Sequence, residues 1–241
     1  MRYLITSLLI LCAVGCTSGL SSRETRTQSY SSFILSLYDN PTPQQTAPVP
    51  TLPMKIAVAQ VGESAPTQIM LAHLREKPEL FARIEGIPGL FEESQGGNNL
   101  GALNINERQM VRERVARLQR LARDMGMDYL FLYGGSMEHY VRENALEFLD
   151  LTIVGAFIFP SRQIRANGKA AGALIDARSG SIVFIASADT EKTGMATASN
   201  RDGEVLKVLG NARESLNIRL ADQLAQRCQE IALTRPIPYG N

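Results

Sequence analysis

Through the last third of the chain, Val205, Leu209, Ala212, Leu216, Leu220, Leu224, Cys228 and Ile231 recur at three- and four-residue steps. That spacing gathers all eight on one side of a helix running from Asp202 to about residue 233. The result is a core-packing stripe with Cys228 on its buried side, and the residues upstream must provide the surface that it covers.

Those residues alternate between strand and helix patterns. Lys55-Ile56-Ala57-Val58-Ala59-Gln60-Val61 is a short apolar run rich in β-branched residues, as in a buried strand. Ser64 then offers a cap just before Pro66, and residues 68–77 predict a helix with Ile69, Leu71 and Leu74 inward. Pro78 stops it, and residues 81–87 alternate as a second strand. Asn104 or Asn106 caps a third segment, a helix over 107–125. Its stripe is Met110, Val111, Val115, Leu118, Leu121 and Ala122, and its other face carries Arg112, Glu113, Arg114, Arg117 and Arg120. That charged face reads as solvated, with anion binding as the alternative. Gly126 is placed as its C-cap.

A strand follows over 128–133, broken at Gly134-Gly135. Residues 137–141 and 146–151 are candidates for further strands. Residues 169–176 and 181–188 flank Ala177-Arg178-Ser179-Gly180 as a β-hairpin, with 190–196 extending its second strand. The fold class expected is α/β, with α+β as the alternative. The expected domain is single, of two or three layers, with helices on a mixed sheet and a long C-terminal helix. It covers 54–233, and 234–241 form a loose tail.

The N-terminus is of another kind. Arg2 is followed by the apolar residues 4–14 and then by Ala13-Val14-Gly15-Cys16. An apolar core of about 11 residues is roughly half of what a spanning helix needs. Small residues directly before a cysteine distinguish a lipoprotein signal from an ordinary one. Residues 1–15 therefore read as a signal peptide, and Cys16 as the lipid-attachment residue, carrying S-diacylglycerol and N-palmitoyl groups. Each buried methylene contributes about 0.8 kcal/mol, so two or three acyl chains hold a protein stably where one does not. Thr17, rather than Asp, after the cysteine favours the outer membrane. Residues 16–53 read as a tether: polar over 17–32, with the apolar patch Ser32-Phe33-Ile34-Leu35-Ser36-Leu37-Tyr38, then stiffened by Pro41, Pro43, Pro48, Pro50 and Pro53.

Charge narrows the partners. Of 25 Lys and Arg, Arg2 leaves with the signal, so the remaining 24 balance 24 Asp and Glu. A neutral chain does not suggest a nucleic-acid partner. Of three cysteines, Cys12 leaves and Cys16 is acylated. Cys228 then has no internal disulfide partner. His73 and His139 lack metal-ligand spacing, so neither a metal nor another cofactor is expected.

Catalytic chemistry has little to stand on. No Gly-x-Ser-x-Gly elbow occurs. Gly96-Gly97 lacks the Lys-Ser or Lys-Thr of a phosphate loop. An envelope hydrolase would use His139, in Glu138-His139-Tyr140, as its base and the loop at Gly96-Gly97 as a lid. Residues 152–160 (Thr-Ile-Val-Gly-Ala-Phe-Ile-Phe-Pro) are the most apolar stretch after the signal. They read as core, or as a surface that meets a membrane or partner.

Three groups of residues carry a resemblance. They are Ser31-Ser32-Phe33-Ile34-Leu35-Ser36-Leu37-Tyr38, Gly126-Met127-Asp128-Tyr129-Leu130-Phe131 and, most specifically, Leu151-Thr152-Ile153-Val154-Gly155-Ala156-Phe157-Ile158-Phe159-Pro160. With the Lys55-Ile56-Ala57-Val58-Ala59 strand, the chain resembles the rhombotarget lipoproteins, a family of bacterial lipoproteins. The likeness implies no catalytic residue. More loosely, the element order is similar to the periplasmic α/β domains of the curli-secretion lipoprotein and TolB N-terminal type. The expectation is a non-enzymatic lipoprotein of the bacterial envelope, lipid-anchored and facing the periplasm. Its partners would be the membrane and an envelope protein or a second copy of itself. A ring-forming secretion subunit is a further alternative.

Overall fold

Strand β2 (Met54–Gln60) is buried along nearly its whole length, with Met54 and residues 56–59 fully enclosed. A strand covered on both faces needs a layer above and a layer below it, and both are present. The computed structural model describes residues 22–24, 50–89, 105–143 and 162–233. Cys16, most of the proline-rich arm, Gly96-Gly97, residues 146–161 and the 234–241 tail lie outside the described residues.

In chain order the elements are β1 (Ser22–Glu24), β2, α1 (Gln68–Arg75), β3 (Phe81–Gly86), α2 (Ile105–Asp124), β4 (Tyr129–Glu143), β5 (Arg162–Asp176), β6 (Ile182–Ala196), a 3-10 turn (Ala198–Asn200) and α3 (Arg201–Leu233). The sheet order is β3-β2-β4-β5-β6, with β1 also pairing with β4. Strands β3 and β4 flank β2 and run parallel to it, with Ile56 opposite Ile84 and Tyr129. β1 is antiparallel to β4. The fold is α/β on a mixed sheet, as the sequence predicts.

The chain forms two compact units. The larger holds residues 25–138, 166–192 and 209–241. Its sheet is covered on both faces, which decides between two layers and three. On one face α1 contributes Met70, Leu71 and Leu74, and α3 contributes Leu216, Leu220, Leu224 and Cys228. They pack on Met54, Ile56, Val58, Phe131 and Tyr133. On the other, Val115, Leu118 and Ala122 of α2 pack on Ala57, Ala59, Leu130 and Leu132. Alternate residues of β2 and β4 thus serve opposite faces. The smaller unit holds residues 1–24, 139–165 and 193–208. There, Gly194 of β6 lies so near α3 that an added Cβ would sit 2.4 Å from Val208 Cγ2.

Several sequence expectations shift. The cap of α1 is Thr67, not Ser64: Thr67 Oγ1 accepts from Met70 N at 3.4 Å. The helix ends at Arg75, three residues before Pro78, and Ile69 is 38% exposed while Met70 is buried. Residues 69 and 71 stand about 200° apart on a helix, so only one can face the sheet. In α2, which begins at Ile105 and so includes Asn106, Val115, Leu118 and Ala122 are buried but Met110 is 50% exposed. Met110 lies about 140° round the helix from Val115. Gly126 caps α2 as predicted. At φ +72° it donates to Arg123 O at 2.9 Å, while Met127 donates to Ala122 O at 2.9 Å. These two bonds form the Schellman pattern.

β4 does not break at Gly134-Gly135. It runs through them as one 15-residue strand. Gly135 answers to a close neighbour rather than a turn, since a Cβ there would meet Lys169 O at 3.0 Å and Ala170 Cβ at 3.1 Å. Both hairpin strands are longer than expected, at 15 residues each. Ser22–Glu24, read in the sequence as tether, is a strand opposite Val141, Tyr140 and His139. β4 is much longer than the five residues it pairs with β2, and β1 takes up part of the remaining backbone.

Candidate functional site

In open α/β sheets a ligand crevice forms beyond the carboxyl ends of the parallel strands, where neighbouring strands connect in opposite directions. Here β2 leads through α1 to β3 on one side, and β3 leads through α2 to β4 on the other. The switch point therefore falls between β2 and β4, where Gln60 stands opposite Tyr133. The Tyr133 hydroxyl donates to Gln60 Oε1 at 2.7 Å and accepts from Thr67 N at 3.1 Å. Thr67 Oγ1 lies 3.4 Å from the same oxygen. Burial raises the Tyr133 phenol above its ordinary value, partly opposed by the bonds to Thr67 and reinforced by Glu63. The group is thus held neutral and fully occupied, a tie between sheet and helix rather than a nucleophile.

The segment after β3 packs tightly against the end of β2. A Cβ on Gly89 would sit 2.2 Å from Glu63 O and 2.4 Å from Gln60 O. A Cβ on Gly86 would sit 3.0 Å from Pro66 Cγ. Ile87 donates to Val58 O at 2.9 Å, continuing the pairing of β3 with β2. Only glycine lets the two segments come this close.

A second polar cluster joins α1 to α3. His73 Nε2 lies 2.9 Å from Asp222 Oδ1, Lys77 Nζ bonds to the same oxygen, and His73 Nδ1 lies 3.3 Å from Glu76 Oε2. Burial raises the Asp222 carboxyl, but the hydrogen bonds and charges of Lys77 and His73 together outweigh it and leave the group below its ordinary value. With the Asp222 side chain half exposed, such pairs contribute about 0–1 kcal/mol each. No role for His73 is legible in the sequence, because Asp222 lies 149 residues away.

The remaining candidates are dispersed. Cys228 is fully buried under α3, and burial pushes its thiol up to about 12, the opposite of an activated nucleophile. His139 is half-buried in β4, with Glu24 of β1 as its register partner. The Gly96-Gly97 loop that a hydrolase would close over it is outside the described residues, as are Cys16 and residues 152–160. Among the described residues, no three His, Cys, Asp or Glu side chains converge as metal ligands. No helix among them is long and apolar enough to cross a membrane.

The fold has similar counterparts among known structures. The similar ones include lipoproteins. The rare lipoprotein B of Shewanella oneidensis is 11% identical, with 75% of this chain and 99% of that chain covered and a TM-score of 0.33. Lipoprotein GNA1162 of Neisseria meningitidis is 15% identical over 66% of this chain and 96% of that one, with a TM-score of 0.29. The PelC dodecamer of Paraburkholderia phytofirmans is 14% identical over 71% and 91%, with a TM-score of 0.28. Overlaps this low transfer no residue role and no assembly state. No protein-family model matches the chain, and no curated protein matches it in sequence.

Proposed function

We propose that the protein is a lipid-anchored lipoprotein of the bacterial envelope, of the rhombotarget type, acting as an interaction or assembly module rather than as an enzyme. Cys16 carries the reading. It directly follows an apolar segment and the small residues Ala13-Val14-Gly15, the arrangement that signal processing and acylation require. The described fold is compatible with this role. Its buried phenol is committed to Gln60 and Thr67, and burial pushes its thiol well above the ordinary range. In this reading the anchor faces the periplasm from the outer membrane, and the α/β fold presents surfaces to an envelope protein or to a second copy.

Cys16→Ser tests the anchor. In cells given labelled palmitate, the wild type is expected to take up label and to sediment with membranes, and the variant to do neither. A variant that remains acylated would overturn the reading.

A further inference from the structure

Helix α2 carries a face that the fold leaves unused. Val115, Leu118 and Ala122 are buried against the sheet, while Arg112, Arg117, Arg120 and Arg123 are all exposed. At about 100° per residue, the four exposed arginines fall within an arc of roughly 140°, with Met110 and Leu121 at its border. Met110 and Leu121 are 50% and 37% exposed. At one edge of the arc lies Gln119, which packs beside the β5–β6 turn, 3.3 Å from where a Cβ on Gly180 would be. Arg178 in that turn is exposed and adds a cation at the same edge.

A solvated helix face balances its charges at three- and four-residue spacing. This one does so only in part. Arg117, Arg120 and Arg123 follow one another every three residues, so each is next to a like charge. Glu113 and Asp124 lie in the same arc, four residues from Arg117 and Arg120, but neither is within ion-pair distance of those arginines. Glu113 Oε1 accepts from Gln109 Nε2 at 3.3 Å, and Arg120 Nε donates to the Ala116 carbonyl at 3.3 Å. Among the described residues, Arg112, Arg117, Arg120 and Arg123 make no ion pair. The chain is close to neutral overall, so its positive charge is concentrated here rather than general.

We infer that the arginine face of α2 docks on an anionic phospholipid surface. Guanidinium groups pair with phosphate in a fork geometry, and several headgroups side by side match four exposed guanidiniums that make no ion pair among the described residues. A helix face is convex and meets a plane along its length, whereas it offers an acidic peptide no groove. The four arginines from Arg112 to Arg123 span about 16 Å at 1.5 Å per residue, enough to meet several headgroups. Met110 and Leu121 beside the cations complete the pattern of an interfacial helix, apolar residues bordering basic ones. This contact is separate from acylation at Cys16, because it depends on lipid charge and an acyl anchor does not.

Vesicle flotation of the full chain tests it. Phosphatidylcholine vesicles are compared with vesicles containing phosphatidylglycerol. The wild type is expected to bind the anionic vesicles at least about tenfold more tightly at low salt. That increment should vanish near 0.5 M salt, where charges are screened within a few ångströms. In the Arg112→Gln, Arg117→Gln, Arg120→Gln, Arg123→Gln variant, the increment should be lost while binding to neutral vesicles and the far-ultraviolet circular dichroism stay unchanged. If that variant does not fold, Arg120→Gln with Arg123→Gln should show part of the same loss. A wild type with no anionic increment, or an increment that survives the glutamines, overturns the inference. So does arginine-dependent binding to polyglutamate without any to anionic vesicles, which would assign the face to an acidic protein. Equal loss from both kinds of vesicle in Cys16→Ser would concern the anchor alone.

Discussion

A single oxygen, Oδ1 of Asp222, receives both His73 and Lys77 and so links α1 to α3. Its carboxyl is held below the ordinary 3.8 despite the opposing effect of burial, through the bonds and charges of those two partners. A carboxyl depressed on folding adds stability above its unfolded value and loses it as pH falls through its folded one. Asp222→Asn should therefore lower the urea midpoint near neutral pH, by about 0.5–1 kcal/mol in stability for a half-exposed group. The gap to wild type should close as the solution is acidified below 3.8. A gap of constant size down to acid pH would mean that the ionised carboxylate is not the source. Sequence gave part of the picture at this scale. The burial of Cys228 was legible because it recurs in step with seven other apolar residues. The Asp222 cluster and the Tyr133–Gln60–Thr67 tie were not, because each joins residues that are distant in sequence and lie next to one another only once the sheet is formed.

Elements were legible in kind more than in extent. Each described helix was anticipated, because periodicity and caps are local signals. Strand length was not: β4, β5 and β6 each run 15 residues. Gly135, Gly168 and Gly172 look like punctuation in a sequence, but in these strands they make room. A Cβ on Gly172 would lie 2.4 Å from Phe131 Cζ, and the Phe131 ring stacks on Tyr133 with centroids 5.8 Å apart. Gly172→Val should therefore destabilise by about 1–3 kcal/mol through overpacking, despite the higher strand propensity of valine. Combining it with Phe131→Leu should recover part of that loss in a double-mutant cycle. A fully additive cycle would show that the ring and the glycine do not share the space.

At the scale of the molecule, α/β architecture could be read from the alternation of patterns, but the choice of three layers could not. It depends on alternate residues of β2 and β4 facing α1 and α3 on one side and α2 on the other. Cys228 lies within the first of these clusters with Met54, Phe131 and Leu224. Its thiol should resist alkylation in the native protein and react only as the cluster opens. Labelling of the Cys228 peptide, followed by mass spectrometry along a urea series, should coincide with the loss of helical dichroism. Full labelling before that transition would mean that this side of the sheet opens on its own.

The three residues of β1 alter how far a lipid at Cys16 would let its part of the chain travel. Pairing of Ser22 with Val141 fixes the chain six residues after the cysteine. Six virtual bonds at 3.3–3.6 Å reach about 20 Å at full stretch, less than the thickness of a bilayer core. While β1 stays paired, the following proline-rich arm lies on the far side of the attachment and adds nothing to that radius. The mooring is then a short painter rather than a long line, and only release of a three-residue strand would pay out the rest.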